Sequence, residues 1–410
     1  MDLRGLLRFY FLLVFVAHPH AHPSNGATSL DPKSQRRTLQ QEIGTCANSV
    51  AKHGYQCQEF YVTTKDGYIL NMQRIPEGRV AIANGEKKQP VLLQHGLMTD
   101  GMTWLANQPQ QNLPLILADN GFDVWIANSR GTRFSRRHKF LNPNTKEFWD
   151  WSWDELAASD LPAFVDFIYS QTSQKVHYVG HSLGCLTALV SFSQGLAVDK
   201  VKSAVLLGPI AYMSSIDSIL LNVAAETYLG EAVELIGMAE FNPLGDPAVN
   251  DYLRSICSAS ALSCYDLVTL LSGNNCCLNA SALNYKEENE PQPTSTKNLI
   301  HLAQIIRTKV IARFDGLLAY NLQRYGAYTP PTYDVANLPR DLPLFLCHGG
   351  NDALADVEDV QYLLYILKSR IGDKLKSLFV KDYGHLDFIR AVNAKDLVYN
   401  QVVDFLKSQK

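Results

Sequence analysis

The chain offers little to a nucleic acid. Its 37 Lys and Arg are outnumbered by 40 Asp and Glu, the formal charge is −3 at pH 7, and no run of like charge interrupts it. Without a basic face, nucleic-acid binding is set aside. No self-similarity recurs at a period of about 20–50 residues, which excludes solenoids and propellers. Biased composition is absent too: 46% hydrophobic and 19% charged residues describe an ordinary globular protein rather than a disordered one. Beyond the amino terminus there is no apolar stretch of about 18 or more residues, so the mature protein is expected to be soluble. What remains is 410 residues, enough for one large core with a substantial insertion, or for two domains.

The amino terminus reads as an address. Arg4 and Arg8 flank the start of the apolar run Phe9 to Ala17, and His18-Pro19-His20-Ala21 follows. A basic start, a short apolar centre and a small residue near the exit predict a secretory signal peptide over 1–21, with Ala17 as the other cleavage point. Secretion gives meaning to eight cysteines. Cys46 and Cys57 lie near the mature start, while Cys257, Cys264, Cys276 and Cys277 crowd one region. The adjacent pair 276–277 does not match CxxC zinc spacing, so disulfides are expected, with connectivity open. Cys185 and Cys347 fall in core elements and are expected to be buried free thiols. The sequon Asn279-Ala280-Ser281 predicts glycosylation at Asn279.

Residues 22–59 read as a lead-in. Two β-rich runs, Phe60 to Thr64 and Tyr68 to Ile75, flank Asp66-Gly67, a hairpin signal expected to place both turn residues at positive φ. From Val91 onward short apolar strands alternate with helical patterns: strands at 122–126, 176–179 and 203–207, helices at 153–169 and 183–194. This predicts an α/β fold with a mostly parallel central sheet covered on both faces. The alternation breaks between about 211 and 340, where the chain looks helical and holds the crowded cysteines. It resumes with the strand 343–347, a helix at 357–369, the strand 377–380 and a helix at 395–406. One sheet domain in two parts, 60–210 and 341–410, interrupted by a helical insertion over 211–340, explains this order better than two tandem domains.

The decisive motif is Gly180-His181-Ser182-Leu183-Gly184, directly after one predicted strand and directly before a helix. A sharp strand-to-helix turn lifts a serine Oγ off the sheet's end, and flanking glycines let the chain make the turn. A serine needs a base, and the base needs an orienting acid. In chain order Ser, acid, His, the candidates are Asp352, in the loop after the strand ending at Cys347, and His385, after the last strand. Asp356 is expected on the following helix, Asp217 follows an earlier strand, and Asp382 and Asp387 sit too close to His385 in sequence to orient it. His95, His177, His181 and His348 read as structural or loop residues. The oxyanion donors are expected to be the backbone N–H groups of Leu183 and Leu97. The chemistry predicted is two-step acyl transfer with no metal and no organic cofactor.

These residues, together with Leu117-Ala118-Asp119, Gly121 to Trp125, Asn128-Ser129-Arg130-Gly131, Phe148-Trp149, Asp154-Glu155, Asp160 to Ala163, Tyr178-Val179, Asp352 to Asp356 and His385 to Phe388, carry a family resemblance. It resembles the acid-lipase group of α/β-hydrolases, which includes gastric and lysosomal lipases, and in detail it is most similar to the plant triacylglycerol lipases. The resemblance implies Ser182 as nucleophile, Asp352 as acid, His385 as base, Leu97 and Leu183 as oxyanion donors, and a movable lid within 211–340. It implies a lipid ester as substrate, transient contact with a lipid surface, and a secreted, vacuolar or lysosome-like location, and it sets no oligomeric state. Animal members carry Gln after the serine where this chain has Leu183; the donated N–H survives that change. Two other readings stand beside this one: a steryl-ester or other lipid-ester hydrolase, and a non-catalytic binding protein on the same scaffold. Such proteins commonly lose a triad member, and none is missing here.

Overall fold

The computed structural model describes residues 44–79, 87–243, 245, 269, 271–278 and 290–409. The expected leader, Cys257, Cys264 and Asn279 lie outside the described residues. The strands β1 (Gln58–Thr63), β2 (Tyr68–Ile75), β3 (Gln89–Gln94), β4 (Phe122–Ala127), β5 (Arg137–His138), β6 (Val176–His181), β7 (Val201–Leu207), β10 (Leu344–Gly349) and β11 (Leu375–Val380) form one sheet. Its order is β1-β2-β4-β3-β6-β7-β10-β11, with β5 paired to β2. Two further short strands, β8 (Glu240–Phe241) and β9 (Thr294–Ser295), pair with each other inside the insertion. From β4 to β11 the main sheet is parallel; β2 is antiparallel to all three of its partners, β1, β4 and β5. Because β10 pairs directly with β7, the chain leaves the sheet at 207 and returns to the adjacent position at 344.

Alternation of side chains along each strand feeds two apolar layers. Leu92, Tyr178, Leu206 and Leu346 belong to one, with the helices α2 (Leu161–Thr172), α3 (Leu183–Ser193) and α8 (Val357–Ile371). Val91, Val179, Val205 and Phe345 belong to the other, with α1 (Leu113–Asp119) and α9 (Asn400–Ser408). Strands buried on both faces therefore read in sequence as unbroken apolar runs. The helix predicted from Trp153 is interrupted by a π turn over Leu156–Asp160 before α2. Pro162, with no N–H, cannot continue the i→i−4 ladder there.

One local expectation is corrected. At the hairpin, Gly67 has φ of 100° and Asp66 keeps an ordinary φ. The N–H of Gly67 donates to the Thr64 carbonyl, and that of Thr64 to the Tyr68 carbonyl. The loop is one residue longer than a two-residue turn, so only the glycine needs the left-handed region. Cys46 and Cys57 are bonded, as are the adjacent Cys276 and Cys277. Cys185 and Cys347 are buried free thiols. Within the insertion, α4 (Ile219–Glu226) and α5 (Leu229–Leu235) pack on α6 (Thr296–Thr308), and α7 (Leu317–Tyr325) follows. No helix among the described residues is long and apolar enough to cross a membrane.

The sheet also carries a pH dependence. His177 on β6 is buried with Nδ1 2.7 Å from Ser203 Oγ, and burial, reinforced by Lys202, pulls its imidazole down to about 3. It is neutral when folded but takes a proton in the unfolded chain below about pH 6.5. The stability this neutral form contributes is complete above that pH and declines as the pH falls toward 3. Buried His95, His181 and His301 act in the same sense. Asp100, raised to about 6 by burial, acts in the opposite one. His177→Asn should flatten the slope of unfolding free energy between pH 6 and 4 by about 1.4 kcal/mol per pH unit. Urea unfolding at both pH values measures it, and an unchanged slope contradicts the assignment.

Candidate active site

Ser182 sits where β6 turns into α3, at φ 56° and ψ −118°. A non-glycine residue there is strained by about 1–3 kcal/mol and persists only where its surroundings over-determine it. Here the Ser182 N–H is held by the Leu207 carbonyl of the neighbouring strand at 3.1 Å. The glycines around it are sterically required. A Cβ on Gly184 would come 2.8 Å from the Gln94 carbonyl oxygen, and one on Gly96 would come 2.9 Å from Ser182 Cβ. The loop after β3 thus packs directly against the serine.

Asp352 lies three residues past β10, where its Oδ1 accepts the N–H groups of Leu354 and Ala355 at 2.9 and 2.8 Å. Nδ1 of His385 lies 2.9 and 3.0 Å from the two carboxylate oxygens. Facing a carboxylate, Nδ1 carries the proton, which leaves Nε2 as an acceptor. Nε2 is buried and has no hydrogen-bond partner among the described residues. Burial raises the Asp352 carboxyl, but His385 and the two backbone donors outweigh it and hold it below its ordinary value. An ionised acid beside the imidazole stabilises positive charge on the ring.

The pair lies beside the serine. The rings of His385 and His181, the residue before Ser182, are 4.8 Å apart, and His181 Nε2 is 3.0 Å from the His385 carbonyl. Gly208, after β7, has φ 54°, and a Cβ there would sit 3.2 Å from His385 Nδ1 and 3.3 Å from Asp352 Oδ2. Ser182, Asp352 and His385 are 5%, 3% and 2% exposed, so the three are sealed from bulk water.

Leu183 is the first residue of α3, a position whose N–H has no intrahelical acceptor. Leu97 and Leu183 line one small cavity of about 20 Å³, room for about one water molecule. The loop bearing Leu97 is braced by His95. Its Nε2 accepts the Ser129 N–H at 3.0 Å, which places the proton on Nδ1, 2.8 Å from the Gly96 carbonyl. Burial pulls His95 down to about 4, so this neutral form persists. Ser129 Oγ in turn accepts from Gln94 at 2.9 Å.

The rival residues lie elsewhere. Asp356 caps α8, accepting the Glu358 N–H at 2.8 Å, and it lines a cleft of about 1090 Å³ together with Asp217, Arg307 and Glu358. That cleft is charged, and Ser182, Asp352 and His385 do not line it. Asp382 is exposed, Asp387 binds backbone N–H groups, and His348 packs on Phe379. Two things went unseen in the sequence: the bracing by His95 and Ser129, and the contacts the insertion makes with the Asp352 and His385 loops. Both join residues far apart in the chain and leave no local pattern.

Comparison with known proteins places the chain in a family. The family described as "alpha/beta hydrolase fold" matches residues 89–391, and that described as "Partial alpha/beta-hydrolase lipase region" matches residues 46–108. Triacylglycerol lipase 2 of Arabidopsis thaliana is 53% identical over 369 residues, covering 89% of this chain and 88% of the relative. The lysosomal acid lipase/cholesteryl ester hydrolase of Homo sapiens is 35% identical over 401 residues, 95% of each. Among solved structures, a soluble variant of monoglyceride lipase from Saccharomyces cerevisiae shares the fold at a TM-score of 0.55 and 16% identity, over 87% of this chain and 94% of that one. The identities over nearly full length place it: this chain belongs to the acid-lipase family of α/β-hydrolases and is a serine ester hydrolase.

Proposed function

We propose that the protein is a secreted lipase that hydrolyses carboxylic ester bonds of neutral lipids such as triacylglycerol, with Ser182 as nucleophile, His385 as base and Asp352 as the orienting acid. The observation that carries this reading is the 2.9 Å Asp352–His385 contact beside a strained, glycine-cradled serine. Ser182 Oγ attacks the ester carbonyl carbon while Nε2 of His385 takes its proton. The carbonyl π pair moves onto oxygen, where the N–H groups of Leu97 and Leu183 receive the charge. Collapse expels the alcohol, which takes the proton from His385, and water attacks the acyl-serine by the same route to release the acid.

The sealed triad calls for an opening, and the insertion over 211–340 is the element we assign as cap and lid, between core segments 60–210 and 341–410. A lipid surface supplies the occasion for opening. The leader over 1–21 takes the chain into the secretory route, toward the outside or a vacuolar or lysosome-like compartment, with Asn279 glycosylated on the way. A second reading, steryl-ester hydrolysis, is favoured by the human relative, whose name includes cholesteryl ester hydrolase.

The test is a substrate panel on the purified mature protein: emulsified long-chain triglyceride, emulsified steryl ester and a monomeric short-chain ester. Turnover of the emulsified triglyceride should exceed that of the monomeric ester by at least about tenfold, as lid opening at an interface requires. Equal or lower turnover reduces the protein to a plain esterase, and a preference for the steryl ester selects the second reading.

A further inference from the structure

Part of the insertion grips the loops that carry the acid and the base. Segment 272–278 crosses both. The Ser272 carbonyl accepts the His385 N–H at 3.0 Å and the Ala353 N–H at 3.5 Å, and Gly273 forms an antiparallel bridge with Asp352. Asn275 Oδ1 accepts the Leu386 N–H at 2.9 Å, while its Nδ2 donates to Ser272 Oγ at 2.8 Å and to the Gly273 carbonyl at 3.0 Å. Asp387 accepts the N–H groups of Cys276 and Cys277 at 3.0 and 3.1 Å, and that of Gly384 at 2.8 Å. The Cys277 carbonyl takes the Val392 N–H, and Leu278 bridges Ala391.

Three consecutive N–H groups, of Gly384, His385 and Leu386, thus end on Asp387, on Ser272 and on Asn275. The backbone of the base is pinned at its own residue and on either side. Asn275 and Asp387 are 1% and 0% exposed, so water does not replace these bonds. The approach is too close for a side chain at 384: a Cβ there would come 2.8 Å from Asn275 Oδ1.

We infer that Asn275 and Asp387 are positioning residues for ester hydrolysis, acting through the 272–278 strap to hold the backbone of His385 in register with Asp352. This rests on the reading of His385 as the base. Neither residue touches the reacting atoms; each acts on the placement of the imidazole, where an error of about 1 Å costs on the order of 100-fold in rate.

The test uses the full-length protein and a soluble short-chain ester. Asn275→Ala and Asp387→Ala should each lower kcat by about 10- to 100-fold and leave KM within about twofold, the split expected when binding is untouched. Asp387→Asn, which keeps an oxygen for two of the three donors, should recover part of the loss. In a His385→Ala background, where no base remains to be placed, Asn275→Ala should change the residual rate by less than about twofold, the non-additivity of residues acting as a unit. The inference is overturned if both alanine variants fold and keep kcat within about twofold of wild type, or if the loss persists undiminished without His385. Failure of both to fold assigns the strap to stability alone and overturns it equally. Full hydrolysis by Ser182→Ala would sink the triad reading instead, a separate outcome.

Discussion

Ser182→Ala and His385→Ala should each lower kcat/KM toward a short-chain ester by about 10⁴- to 10⁶-fold, and the double replacement by no more than either alone. The hydroxyl is a weak nucleophile until a base removes its proton, and the base has nothing to do without the hydroxyl. Removing either therefore removes the whole covalent route. What remains is binding and the two backbone donors proposed at Leu97 and Leu183, which side-chain replacement leaves in place. Asp352→Asn should cost about 10⁴-fold through the tautomer. An amide can present its NH₂ to Nδ1, and the ring would then hold its proton on Nε2, where it blocks proton uptake from the serine. Covalent labelling by a fluorophosphonate should vanish in Ser182→Ala. Because alanine meets the same positive-φ restriction as serine at position 182, near-wild-type thermal unfolding is expected, and the loss reads as chemistry. Residual activity above about 1% of wild type would remove Ser182 from its assigned role.

Much of this site was legible because its parts are local in sequence. The motif around Ser182 carries its own turn, and the strands before Asp352 and His385 announce themselves as apolar runs. Position relative to the following helix then distinguishes Asp352, in the loop at the strand's end, from Asp356, which the structure spends on capping α8. The misread hairpin at Asp66-Gly67 has the opposite cause. The dipeptide suits both a two-residue turn and a longer loop closed by one left-handed glycine, and strand register decides between them. The supports of the site were illegible for a third reason. His95 meets Ser129 across 34 residues, and Asn275 meets Leu386 across 111. Neither pairing has a spacing that a helix or a strand would impose. The family blocks did contain Ser129, Arg130 and Asp387, but as signatures whose work was invisible until the chain was folded.

Arg130 is the clearest case of such hidden work, and replacing it should have the largest effect on stability. Its side chain is wholly buried, and it donates to Asp160 Oδ1 through Nε at 2.8 Å and to Asp66 Oδ2 through Nη1 at 2.8 Å. Its backbone N–H reaches the other oxygen of Asp160 at 3.1 Å, and its guanidinium stacks 3.9 Å from the centroid of the Tyr68 ring. One cation thus joins the β1–β2 hairpin, the π turn before α2 and the loop after β4. Arg130→Met keeps most of the volume and removes the charge, leaving Asp160 buried and uncompensated. Breaking a buried pair from one side costs about 3–5 kcal/mol, which in a chain of this size lowers Tm by about 4–6 °C. Burial already raises the Asp160 carboxyl against the pull of Arg130. Without that cation the raised folded value climbs further, the native form takes up a proton the unfolded chain does not hold, and the deficit shrinks on acidification. The penalty should therefore be greatest near neutral pH and smaller at pH 4, and Asp160→Asn in the Arg130→Met background should recover part of it at pH 7. A loss below about 1 kcal/mol at neutral pH would contradict the ion-pair account. Because Ser129, the neighbour of Arg130, holds both His95 and Gln94, the same variant should also slow ester hydrolysis, through a loosened Leu97 loop and the oxyanion donor proposed on it.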